Sequence, residues 1–377
     1  MRPASEAEKA RLGQTFAELC RIPSPFGHER AHADRVAAEL RSMGLEVTED
    51  DAAGPARAEC GNLLARLNGR GERLILLCAH LDTVEVSGPI EPVIVDGRWE
   101  NEHDTILGAD NKAAVAVMLE VARRASIEGS PVGIELLFTV AEEDGLRGAK
   151  AFDVSKLKSD WGYVFDHASP VGEVIVASPT YYRLSADFHG RAAHAGIRPE
   201  DGRSAILAAA YAVAAMPHGR IDDRTTANVG SIHGGVASTN VVAERCRIMA
   251  EARSLDSERV ETVIAEMVDA VHDGAAQAEC DVDLDCERLF DGYRQKPSSA
   301  PVVAAEAALK RCGYAPKRIT TGGASDANAL EANGFTCVNL ANGTEHNHEP
   351  NERVSVLALE GMLDVALALL DACAAQP

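Results

Sequence analysis

The chain of 377 residues is 46% apolar and 25% charged, with two Trp, six Tyr and eight Phe, a make-up that excludes disorder, collagen and coiled coil. At ~150 residues per domain, this length predicts two or three domains and enough chain to bury an active site in a sizeable core. The 37 Lys and Arg against 58 Asp and Glu leave a formal charge of −21, which repels phosphate backbones and anionic lipid heads, so neither nucleic acid nor membrane is an expected partner.

The opening stretch MRPASEAEKARLGQ has no apolar segment of the kind a secretion signal needs, and the longest apolar run, 74–79, is too short to span a bilayer. The nine cysteines are scattered singly, without a Cys-x-x-Cys pair, which predicts neither a disulfide framework nor a thiolate zinc site and fits a reducing cytoplasm. Strand and helix signals then alternate, as in an α/β domain with a mostly parallel sheet. The short apolar runs 74–79 (LILLCA), 134–140 (IELLFTV) and 162–165 (GYVF) read as buried strands. Residues 111–125 are Ala-rich, carry Arg123 and Arg124 in the last turn, and read as a helix.

From about Pro179 the character changes. A strand at 181–188, a helix at 204–216, strands at 226–232 and 241–253, a helix from Ser257 and a strand at 280–289 give the order β-α-β-β-α-β of a ferredoxin-like α+β fold. After Asp291 the alternating α/β pattern returns, with a helix at 302–311, a strand at 337–340 and a C-terminal helix at 354–374. The expected organisation is therefore one domain built from 1–178 and 292–377, with a smaller domain, 179–291, inserted into it.

Potential metal ligands follow each predicted strand: His80 and Asp82, Glu142 and Glu143, Asp166 and His167, and, after the late strand 337–340, His346 and His348. Ligands of open α/β sheets gather beyond the carboxyl ends of the strands, so these groups converge if the strands are neighbours, and Asp110 at its helix entry can join them. Imidazole and carboxylate without thiolate suit Zn2+, Co2+ or Mn2+, and a pair of such ions needs a bridging carboxylate, for which Asp110 is the natural candidate. Each group also has an ordinary explanation: a solvated acid, a structural His or, for Asp110, the N-cap of its helix.

The segments AHLDTV (79–84), LGADNKAAVA (107–116), AEEDGLRGAK (141–150), VFDHAS (164–169) and HNHEPNE (346–352) together resemble the M20 family of metallopeptidases, in order and over essentially the whole chain. The resemblance implies a zinc-peptidase-like catalytic domain with the inserted domain as lid and dimerisation module, and two divalent ions, Zn2+ first and Co2+ or Mn2+ as alternatives. It makes His80, Asp110 and Asp166 the ligands of one ion and Asp110, Glu143 and His348 those of the other. Asp82 then holds the His80 ring in one tautomer, and Glu142 is the general base. His348 is preferred to His346 because His-Glu-Pro-Asn-Glu is similar to the family's His-x-Pro-Asp-Glu. The one departure, Lys112-Ala113 where Lys-Gly is frequent, touches no ligand.

By the same resemblance His194, Asn240, Arg253 and the glycines Gly322 and Gly323 contact substrate, with Arg253 equally open to a surface salt bridge and the glycines to plain turns. Asp166 and the stretch 188–206 are similar to the peptidase T-like branch. The expected function is an aminopeptidase removing the N-terminal residue of short peptides such as tripeptides, working in the cytoplasm as a homodimer through the inserted domain. An N-acyl-amino-acid deacylase or carboxypeptidase, and a non-enzymatic metal or peptide binder, are the alternatives.

Overall fold

The computed structural model describes residues 1–376. It divides into two compact units, one formed by Met1–Ala177 and the chain from Arg294 onward, the other by Ser178–Tyr293.

A nine-stranded sheet runs through the larger unit. Its four central strands, in spatial order Gly133–Thr139, Leu74–His80, Trp161–His167 and Cys337–Ala341, are mutually parallel. Antiparallel strands flank them, Leu63–Leu67 on one side and Glu173–Ser178 on the other. The apolar runs lack alternation because both faces of these strands are covered. Ile75, Leu77 and Ala79 join the main core with residues of the helices Glu6–Cys20, Arg30–Ser42, Ala109–Glu128 and Val356–Ala374, while Leu76 and Cys78 on the opposite face are just as buried.

Some elements differ from the pattern read in the sequence. Val354 belongs to the three-residue strand Arg353–Ser355, which pairs with Arg98–Asn101 in a separate four-stranded sheet, so the last helix starts at Val356. Ser355 caps it by accepting a hydrogen bond from the Ala358 amide at 3.0 Å. The helix entry at Ala109 is broken, with Asp110 (φ −82°, ψ 105°) and Asn111 (φ −118°, ψ 29°) outside helical geometry and joined by a cis peptide bond. His80, Asp166 and His167 fall on the last residues of their strands rather than beyond them.

The smaller unit has its own core. Its long strands Thr180–His189, Thr225–Gly234, Arg245–Ser254 and Asp281–Phe290 are all antiparallel, and the helices Ala205–Ala215 and Ser257–Gln277 contribute buried faces to the same cluster. With the hairpin strand Gly219–Asp222 added at one edge, this is the ferredoxin-like βαββαβ arrangement. The strand expected from 241 begins only at Arg245, because the preceding residues bridge to the 194 loop instead: Val241 pairs with His194, and the Ala195 amide donates to the Asn240 carbonyl at 2.9 Å.

Leu77 is fully buried in a central strand of the larger unit. Leu77→Ala should cost about 2–5 kcal/mol of stability, read from the shift of the urea midpoint at unchanged slope.

Candidate metal centre

The parallel arrangement brings four strand ends to one edge of the sheet, and the chemistry-bearing side chains stand there. His80 ends one strand, Asp166 lies near the end of its neighbour, and Glu142 and Glu143 occupy the turn after Gly133–Thr139. That turn is made sharp by Ala141 at φ 50°. The loop after Cys337–Ala341 delivers His348. A cleft lined by Asp110, Glu142, Glu143, Asp166, Asn347 and His348 results.

Asp110 sits at its centre. One carboxylate oxygen, Oδ1, lies 3.4 Å from His80 Nε2, and the other, Oδ2, lies 3.5 Å from His348 Nε2. His80 Nε2 is also 3.6 Å from Asp166 Oδ1, and His348 Nε2 is 2.9 Å from Glu143 Oε1. Ligand atoms bound tetrahedrally at about 2.1 Å stand about 3.4 Å apart, so most of these separations are those of groups facing a common ion rather than one another. Ligand atoms of His80, Asp110 and Glu143 all lie within 4.8 Å of one another, as do those of His80, Glu142 and Asp166.

The orientation of His80 is fixed from behind. Its Nδ1 is 3.0 Å from the Asp82 main-chain carbonyl and 3.5 Å from Asp82 Oδ1, which makes Nδ1 the donor and turns Nε2 toward Asp110 and Asp166. The Asp82 carboxylate itself accepts the amides of Glu142 and Glu143, each at 3.0 Å. Asp82 therefore steadies the imidazole chiefly through its carbonyl, while its carboxylate sets the turn that carries the two glutamates. Asn339 grips Asp166 in the same manner, accepting from its amide at 3.0 Å and donating to its carbonyl at 2.9 Å.

The electrostatics call for cations. Loss of solvation, with Asp166 next in weight, pushes the Glu142 carboxyl well above its ordinary range. Burial raises Glu143 to about 7 and, with the Asp110 charge, Asp166 to about 6. Burial works against Asp110 too, but His348 and His80 hold its carboxyl low. Hydrogen bonds to Asp110 and Glu143 lift His348 to about 10. Asp110 Oδ1 is buried without a hydrogen-bond partner, and the buried Glu143 Oε1 has His348 Nε2 beside it at 2.9 Å. A donor set of imidazoles and carboxylates with excess negative charge and an orphaned oxygen fits divalent cations.

The remaining sequence candidates fall in several places. His346 is not in the cluster; it turns toward Glu349 at 3.6 Å. Gly323 lines the cleft with Thr321 and Ala324. Its neighbour Gly322 has open space where a side chain would stand. In the smaller unit, His194 is exposed beside Asn240, and Gly196 donates to its Nδ1 at 3.2 Å. Arg253 pairs with Glu251 at 3.0 Å and lies over the Tyr181 ring at 4.3 Å.

Sequence reasoning missed Asn347, whose amide donates to Asp110 Oδ2 at 2.8 Å, and Glu352, which accepts main-chain amides at the Asp110 turn. Asp326, read in the sequence only as the acid of the substrate-lining glycine loop at 322–326, is a fully buried carboxyl raised to about 7 by desolvation, which accepts from Thr139 and leaves Oδ1 unpartnered. Asn347 carries no signal of its own. Glu352 lies within the HNHEPNE stretch, where an acid four residues after a ligand is the available clue.

The peptidase dimerisation domain of the M20 group matches residues 180–279, and the model of peptidase family M28 matches 62–168. Protein YqjE of Bacillus subtilis is 36% identical over 97% of this chain and 98% of its own length. The crystal structure of aminopeptidase PepT from Bacillus cereus superposes with a TM-score of 0.88 at 36% identity, covering 97% of this chain and 99% of that one. The chain belongs to the M20 family of metallopeptidases. A tripeptidase from Staphylococcus aureus, another structural relative, gives a TM-score of 0.92 at 34% identity over 98% and 99% of the two chains. Within the M20 family these relatives place it on the peptidase T-like branch.

Glu143 at about 7 and Asp166 at about 6 lie above their ordinary ranges, so in the metal-free protein both take up protons as pH falls through that window. Ions must displace those protons, so apparent affinity should fall from pH 8 to pH 5, with protons released on binding. Calorimetry in buffers of different ionisation enthalpy measures both.

Proposed function

We propose that this chain is a metal-dependent aminopeptidase that removes the N-terminal residue from short peptides, tripeptides above all. The observation that carries the reading is the Asp110 carboxylate, one oxygen toward His80 and the other toward His348, with Glu142 beside them. The substrate class is supported by the names of the two full-length structural relatives, an aminopeptidase PepT and a tripeptidase.

In this reading His80, Asp110 and Asp166 hold one divalent ion and Asp110, Glu143 and His348 the other, Zn2+ being preferred for this donor set. Bound, the pair supplies Lewis acidity toward the scissile carbonyl and acidity to water. Glu142 takes the proton of the attacking water and returns it to the leaving amine. Its raised proton affinity suits a shuttle that must both accept and release, and cations nearby bring that affinity down toward the working pH. Asp82 keeps Glu142 aimed through the amide it accepts. Gly323, and with it Gly322, leaves room for substrate backbone at the cleft wall, and His194, Asn240 and Arg253 are assigned to substrate contact by the family resemblance of their own stretches.

That unit is also assigned the role of dimer module. Only the first residues of Thr225–Gly234, from Thr225 to Ala227, are paired by the hairpin strand at its outer edge. The rest of that edge is open, with Ile232 exposed on the strand and Ile206, Leu207 and Tyr211 exposed on the helix Ala205–Ala215. An open edge beside apolar side chains fits pairing with a second copy. Light scattering should return a mass near twice 39.9 kDa, and an Ile206→Asp, Leu207→Asp double substitution should halve it. Nine unpaired cysteines fit a cytoplasmic setting, and among the described residues no helix is long and apolar enough to cross a membrane.

A panel of free-amine tripeptides, dipeptides and N-acylated amino acids, assayed under several metals, tests the substrate class. Turnover of free-amine tripeptides is expected, and cleavage of acylated amino acids alone would overturn the reading in favour of a deacylase. Glu142→Ala should lower kcat by about 10²–10⁴-fold while leaving metal content unchanged; equal turnover would remove Glu142 from its role.

A further inference from the structure

An acid at a helix entry ordinarily caps that helix, accepting its first free amides. Asp110 stands at such an entry, yet its Oδ2 accepts from the Asn347 side chain, its Oδ1 has no hydrogen-bond partner, and the carboxylate faces His80 and His348. Two amides of this turn are held by another acid. Glu352 Oε2 accepts the Gly108 amide at 2.7 Å and Glu352 Oε1 accepts the Asp110 amide at 2.8 Å. Glu352 is almost fully buried and comes from a part of the chain more than two hundred residues away, on the loop that also carries His348.

We propose that Glu352 is a positioning residue for the metal centre: by capping the Gly108–Asp110 turn from outside, it frees the Asp110 carboxylate to bridge, and it ties that carboxylate to the His348 loop. The inference rests on the two-ion reading of the cleft. Three features support it. The two bonds engage both oxygens of one carboxylate, which fixes the plane of the Glu352 side chain against the turn. Gly108 adopts φ 75°, so the turn bends at the residue whose amide Glu352 holds. Asn347 of the same loop donates to Asp110 Oδ2 at 2.8 Å, so Asp110 is held from one loop at both its main chain and its side chain. A displacement of this loop would therefore move His348 and Asp110 together, two of the three groups assigned to one ion, while His80 and Asp166 stay on their strands.

The test is calorimetric titration of Co2+ into metal-free parent, Glu352→Gln, Glu352→Asp and Glu135→Gln proteins, with visible absorption of the bound Co2+ as a second readout. Glu135 is the control, because it too is a fully buried carboxylate accepting two amides, those of Lys158 and Ser159, but it lies in the first half of its strand, far from the cleft. The parent should bind two ions. In Glu352→Gln, where an NH2 group is forced against one of the amides, and in Glu352→Asp, where the carboxylate falls short, the weaker ion should lose 10–100-fold in affinity, with an altered Co2+ spectrum. Glu135→Gln should lower the melting temperature with both affinities at parent values. A parent that binds fewer than two ions would overturn the dinuclear reading and this proposal with it. A parent that binds two, with either folded Glu352 variant binding both at parent affinity, would overturn the role of Glu352 alone.

Discussion

Carboxylates crowded together away from water repel one another and lose hydration, and Asp110, Glu142, Glu143 and Asp166 at the cleft of the larger unit must relieve that cost by taking up protons or by facing positive charge. The two imidazoles, His80 and His348, offset part of that cost. The orphaned oxygen on Asp110 marks where more compensation is due. The architecture around the cleft is a means of holding this arrangement still: parallel strands supply the ends, and main-chain amides fix the acids that are not themselves assigned to an ion.

That last device recurs. Asp82 accepts the amides of Glu142 and Glu143, Glu352 those of Gly108 and Asp110, and Glu29 those of Gly27 and Ala141. Ser24 and the fully buried His32 both meet the Leu81 carbonyl, between His80 and Asp82. The cleft residues are thus aimed by a surrounding layer of buried polar groups that grip backbone rather than side chain, so orientation is set before any ligand arrives.

Much of this was legible in the sequence, for identifiable reasons. Runs such as 74–79 announce strands buried on both faces, and in an open α/β sheet ligands gather just past the carboxyl ends of such strands. The inserted unit was readable from its alternating strands. Other parts were not. Short edge strands such as Glu46–Glu49 carry too few residues and too much charge to stand out from loops, and Val354 reads as helix because its neighbours are apolar. The choice between N-cap and bridge at Asp110 turns on φ and ψ at one residue, which spacing does not encode. Glu352 and Glu29 act through amides of distant segments, and contacts of that kind leave no periodic trace.

The strand Cys337–Ala341 lies inside the main sheet, between Trp161–His167 and Glu173–Ser178, although it comes after them in the chain by well over a hundred residues. During synthesis on the ribosome the smaller unit, whose strands are all contributed by 178–293, can close on its own hydrophobic cluster first. The central sheet meanwhile waits with a gap between two strands already made, and His348 and Glu352 are still to come. In the two-ion reading, a metal met by the nascent chain before the last stretch is made would find His80, Asp110, Glu143 and Asp166 but not His348.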